Sequence, residues 1–139
     1  MRLIQQAAIL AALICVIVVT TTAADDAARS FTKTQISDKY YAEGAGYGDF
    51  NQDGSQDVVC GPYWFAGPDF QQRHQFYEGK EFPNDQLYSD NFFSFGHDVN
   101  GDGWTDVVRI SFPGLPAHWF ENPRGKAGDW PRHLAVQSV

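Results

Sequence analysis

Downstream of residue 30, apolar positions come in short runs bounded by Gly, Pro, Asn and Asp, and they lack the spacing of an amphipathic helix. Phe31 to Ile36 reads F T K T Q I, alternating as a half-buried strand does. Asp57 to Gly61 and Asp106 to Ile110 are β-branched and predict strands. Further short strands are expected at Tyr63-Trp64-Phe65, ended by Ala66-Gly67-Pro68, and at Arg73 to Tyr77. The same pattern predicts strands at Ala117 to Phe120, stopped by Asn122-Pro123, and at Arg132 to Val136. Tyr40 to Asp49 and Asn91 to Gly96 lead into acidic turns. The fold class is therefore all-β.

Those acidic turns are copies of one another. Asp49 to Asp57 reads D F N Q D G S Q D, and Asp98 to Asp106 reads D V N G D G W T D; both run into Val-Val. Side-chain oxygens fall at positions 1, 3, 5 and 9: Asp49, Asn51, Asp53 and Asp57, then Asp98, Asn100, Asp102 and Asp106. Alternate oxygens followed by a glycine, Gly54 or Gly103, let a short loop wrap one hard cation. The backbone carbonyl at position 7, of Ser55 or Trp104, is expected to add an oxygen. Two carboxylates about 5 Å apart repel by roughly 3 kcal/mol at an effective dielectric near 20, and a divalent ion reverses that sign. Asp, Asn and Gly also form ordinary turns, but two copies with the same four oxygen positions favour two Ca2+ sites. An EF-hand needs an acid at position 12 and flanking helices, whereas position 12 here is Cys60 or Arg109 and strands are expected to follow.

At these residues the chain resembles the FG-GAP/VCBS repeat of integrin α-chain heads and of large secreted bacterial proteins. The DxNxDGxxDVV pattern carries the likeness. The FG and GAP dipeptides are poorly kept, with Tyr47-Gly48 before the first loop and Phe95-Gly96 before the second. The resemblance implies β-propeller blades with a calcium loop in a hairpin. The loops lie 49 residues apart, and Trp64-Phe65-x-x-Pro68 returns 55 residues later as Trp119-Phe120-x-x-Pro123. A period near 50 with about four short strands fits blades. Residues 30–139 are thus expected to hold about two four-stranded blades, near 40–80 and 90–139, plus one extra strand at Phe31 to Ile36. Two blades leave sheet faces uncovered, so the expectation is a fragment of a larger propeller, or a ring closed by self-association.

Composition changes the picture in three ways. Charged residues at 19 % against 43 % hydrophobic mark a globular chain. The net charge of -7, with six of 17 acidic residues in the two loops, argues against a nucleic-acid partner. Residues 1–24 read as a signal peptide: Met1-Arg2, an apolar run from Ala7 to Val19, and small residues at Thr22-Ala23-Ala24. Residues 25–29 then form a linker. The expected location is secreted, periplasmic or cell-surface, with no membrane association after cleavage. Cys60 is the single cysteine after the signal, which excludes an internal disulfide and fits a buried apolar side chain.

Two functions compete on this reading. The first is an exported, non-catalytic calcium-binding module that binds carbohydrate or extracellular protein, as in adhesion. The second is a fragment of a secreted propeller enzyme acting on polysaccharides, of lyase or dehydratase type. Glu43, Asp69, Arg109 and Arg124 are unrepeated polar residues, but no spacing among them singles out an acid and a base. His74 and His133 occupy equivalent repeat positions and are expected to pack. Trp104 and Trp130, in turn-like settings, are expected at the surface.

Overall fold

The computed structural model describes residues 30–83 and 88–139. The chain divides into two compact units, Met1–Lys33 and Thr34–Val139. The expected signal segment and linker lie outside the described residues. Among the described residues no helix is long and apolar enough to cross a membrane.

The second unit holds eight strands: β1 Gly46–Gly48, β2 Asp57–Cys60, β3 Tyr63–Ala66, β4 Gln72–Gln75, β5 Phe93–His97, β6 Asp106–Ile110, β7 Ala117–Phe120 and β8 Arg132–Val136. They form two four-stranded antiparallel sheets, ordered β1-β2-β3-β4 and β5-β6-β7-β8. The architecture is all-β, and each acidic loop joins the first two strands of its sheet. The registers explain why the repeat offset drifts along the chain. Gly48 pairs with Asp57 as His97 pairs with Asp106, an offset of 49. A two-residue turn, Gly61-Pro62, links β2 to β3, while 111–116 link β6 to β7, and from there the offset is 55. The β7–β8 connection is longer again, so Trp64 faces His74 and Trp119 faces His133. Both histidine rings stack on those indoles, at 4.1 Å and 4.3 Å between centroids. The packing expected for the repeated histidines is this stack.

Equivalent faces of the two sheets do not meet. Val59 and Trp64 correspond to Val108 and Trp119, yet they share the core with Val107 and Phe120, which project from the other face of the second sheet. The sheets therefore stack head to tail. Phe50, Phe76 and Trp130 fill the space between them, with Phe76 edge-on to Phe120 at 5.3 Å. The backbones of β1 and β5 also come close together: a Cβ on Gly46 would collide with the Ser94 carbonyl, so this approach requires glycine. On the outward face of the second sheet, Phe93 and Phe95 stand where the first has Gly44 and Gly46, and they are 54 % and 52 % exposed.

Three expectations are corrected. Ser30–Lys33, the described end of the first unit, carries no strand, and neither does Thr34–Ile36 in the second. Phe31 is 88 % exposed: alternation alone does not make a strand when no sheet edge takes up its N–H and C=O groups. β4 stops at Gln75, because Phe76 leaves the sheet to enter the core, its N–H donating to the Pro62 carbonyl at 3.1 Å. Trp130 is buried rather than at the surface, held by its N–H to the Phe76 carbonyl at 2.8 Å.

Phe76 supplies a wholly buried ring to both sheets. Phe76→Ala is expected to lower unfolding free energy by about 3–5 kcal/mol, read as an earlier midpoint in urea.

Candidate metal centres at the two acidic loops

Each loop is a coil of Asx-type hydrogen bonds. In the first, Asp49 Oδ1 and Asn51 Oδ1 both accept the Asp53 N–H, at 3.2 Å and 3.1 Å. Asp49 Oδ2 accepts the Gly54 N–H at 3.0 Å, and Asp53 Oδ1 accepts the Ser55 N–H at 2.7 Å. The second loop repeats the scheme: Asp98 and Asn100 share the Asp102 N–H, Asp98 Oδ2 accepts Gly103, and Asp102 Oδ1 accepts Trp104. Position 6 has φ of 86° in Gly54 and 88° in Gly103, a left-handed conformation that side chains resist. The shared N–H of position 5 brings the oxygens at positions 1 and 3 together in each loop. Ser55 and Trp104, at position 7, are half-buried.

The ninth-position aspartates behave differently. Asp57 and Asp106 are wholly buried at the start of β2 and β6. Asp57 Oδ2 accepts the Phe50 N–H at 2.8 Å and Oδ1 the Gly67 N–H at 2.8 Å. Asp106 accepts Val99 at 2.9 Å and Asn122 at 2.8 Å in the same way. Each carboxylate thus ties the second loop position to a residue just past the third strand of its sheet, Gly67 directly after β3 and Asn122 two residues after the last of β7. Among the described residues no group of three or more His, Cys, Asp or Glu side chains is placed to hold a metal ion. The reason is visible in the loops: position 3 is an amide, and position 9 is turned to backbone donors. Asp49 and Asp98 at position 1 likewise accept backbone N–H groups on both oxygens, so hydrogen bonding alone does not set position 9 apart from the other expected ligands.

Charge tuning follows these contacts. Asp53 is held below the usual carboxylate range by the Ser55 N–H and then by Asn51. Asp102 is lowered chiefly by the Trp104 N–H, with Arg124 and Asn100 adding to it. Burial pushes Asp106 up against the pull of Asn122 and Val99, and the neighbouring charges of Asp102 and Asp98 push the same way.

Two features had no strong sequence signal. Arg124, at φ 58°, brings Nε and Nη2 to Asp102 Oδ2 at 3.1 Å and 3.0 Å, so a guanidinium already neutralises the second loop. No such partner reaches Asp53 among the described residues. The loops also touch: Gln52 Nε2 donates to the Gly103 carbonyl at 2.7 Å. Asn122 Nδ2 adds donations to the Phe50 and Thr105 carbonyls, joining the two sheets at their loop ends. Beside the first loop lies a cleft of about 560 Å³ lined by Asn51, Gln72, His74, Gln75 and Lys126. Its Trp64 and Trp130 walls are buried, which leaves a polar rim. Cys60 is half-buried and its thiol is raised by burial, as an inert packing residue is.

Comparison of the chain with protein-family models, with curated proteins and with solved structures finds no match in any of the three. Burial separates the position-9 aspartates from Asp53 at position 5. Asp57→Ala and Asp106→Ala are each expected to lose roughly 1.5–3 kcal/mol per broken bond. Exposed Asp53→Ala should shift the metal-free urea midpoint far less, and equal shifts in the two classes would contradict this division.

Proposed function

We propose that the chain is an exported, calcium-stabilised binding module built from neighbouring propeller blades, with carbohydrate or extracellular protein as its partner. The observation that supports the calcium reading is the hydrogen-bond scheme the two loops share, in which Asp49 and Asn51, and again Asp98 and Asn100, accept the N–H of position 5 while Asp53 and Asp102 accept that of position 7. The carbonyls of Ser55 and Trp104 complete the oxygen set. A bound divalent ion would supply charge compensation and rigidity to the hairpin tip. At about 1 mM calcium and dissociation constants of roughly 0.1–1 mM, each site contributes about 0.4–1.4 kcal/mol.

Head-to-tail stacking supports the blade reading, since heterologous packing of equivalent units builds rings when the rotation closes. A ring of this kind takes more than two blades, so further blades from a longer chain or from other copies belong to it. The membership in FG-GAP/VCBS-type repeats rests on the acidic loops and on this stacking. Export rests on the apolar segment at 7–19 with its small-residue end. For binding, the polar rim of the cleft beside Asn51 puts ligand contacts next to the first loop.

Calorimetry on the full chain tests the metal. Asp53→Ala and Asp102→Ala should each remove one calcium equivalent, and undiminished stoichiometry in either variant would defeat the assignment. Arg124→Ala should tighten the second site and leave the first unchanged, because it frees Asp102 from a competing cation. Binding on a glycan array, lost on chelation, is the expected mark of a carbohydrate partner, while turnover of polysaccharide would favour an enzyme instead.

A further inference from the structure

We propose that Asn91, Arg109 and His118, with Tyr77 beside them, form a binding site for a carboxylate group at the end of the second sheet remote from its acidic loop. Three buried side-chain polar atoms among the described residues have no hydrogen-bond partner: Asn91 Nδ2, Arg109 Nε and His118 Nδ1. All three belong to one patch. Ser94, Arg109 and His118 form a cross-strand row on β5, β6 and β7, and Ser94 Oγ donates to Asn91 Oδ1 at 3.2 Å. Tyr77, stacked on Phe120 at 4.8 Å, lies under the Arg109 guanidinium, whose Cζ is 5.2 Å from its ring centre. Buried donors are normally paired, and three unpaired ones in one place point to a group that the protein lacks.

The missing group is an anion. Two of the atoms, the amide nitrogen of Asn91 and Nε of Arg109, can only donate. None of the ion pairs among the described residues involves Arg109. The nearby carboxylate of Glu43 is taken by the Ser89 N–H, at 2.7 Å, and by the Tyr40 hydroxyl. His118 is lowered by burial first and then by the positive charges of Arg109 and Arg132, so it meets cations rather than a counterion. Burial pushes the Tyr77 hydroxyl up, as does the charge of the exposed Asp90, while Arg109 and Asn91 pull against it. This positive, donor-rich patch stands in a chain of net charge -7.

One planar guanidinium and one amide match the two coplanar oxygens of a carboxylate. A phosphate dianion calls for more charge than a single close arginine. Arg109, His118 and Tyr77 are half-buried as whole residues, while Asn91 and the three unpaired atoms are buried, so a carboxylate reaches them as the half-buried side chains give way. The inference is independent of the calcium loops.

The test is an NMR titration of the isotopically labelled full chain at constant ionic strength, with and without calcium. Acetate, glucuronate, phosphate and chloride are the probes, and the Arg109 Nε–H, Asn91 side-chain amide and His118 ring resonances are read. Saturable shifts with acetate and glucuronate, weaker with phosphate and absent with chloride, are expected; tighter glucuronate binding would place the carboxylate on a sugar acid. Arg109→Ala should weaken binding roughly ten-fold or more, with Arg109→Lys intermediate. Resonances unmoved by either carboxylate, or moved equally by chloride, would overturn the proposal and assign the three atoms to ordered water. That result can be read on the unmutated chain, so it does not depend on a variant folding.

Discussion

Each sheet depends on one buried carboxylate with two backbone donors. Asp57 draws the N–H of Phe50 and the N–H of Gly67 to its two oxygens, and Asp106 does the same with Val99 and Asn122. The partners lie on opposite sides of the strand that carries the acid: one at the loop, one past the end of the third strand. Burying a charge is costly unless hydrogen bonds compensate it, and here the compensation is what fixes the chain path. The second position of each loop is thereby held to the strand that follows it.

From that constraint the packing follows. With the first loop anchored, Phe50 turns into the core against Trp64 and Trp130, at 6.0 Å and 6.2 Å. Asn122, anchored in turn by Asp106, reaches across to the Phe50 carbonyl, so the strut of the second sheet also fastens the first. Glycine at 46 lets the first strands approach, and aromatic rings fill the wider gap between the outer strands. Head-to-tail stacking makes the two faces of a sheet chemically different. One face carries the Val59 and Trp64 positions and the other those of Val107 and Phe120.

Charge is distributed unevenly along this frame. The loop ends concentrate carboxylates, and Arg124 offsets one loop only. At the other end of the second sheet, Arg109 lies against the Tyr77 and Phe120 rings and forms no ion pair among the described residues.

The sequence by itself determined six of the eight strands, the loop positions and the repeat, because all three are local. Period-2 runs bounded by turn residues predicted β6, β7 and β8 with their observed bounds, and glycine at position 6 followed from the turn's backbone. What lay beyond it was every feature that depends on a partner distant in the chain. The alternating Phe31 to Ile36 found no edge to pair with, and Trp130, read as a turn residue, is pulled inward by Phe76. The spacing of Asp57 reads it as a ligand position and says nothing of its hydrogen-bond partners. Only the fold showed two backbone donors waiting on either side of it. Arg124 and Asn91 carried no local pattern, since their significance lies in which atoms the tertiary structure set beside them and which it left without any.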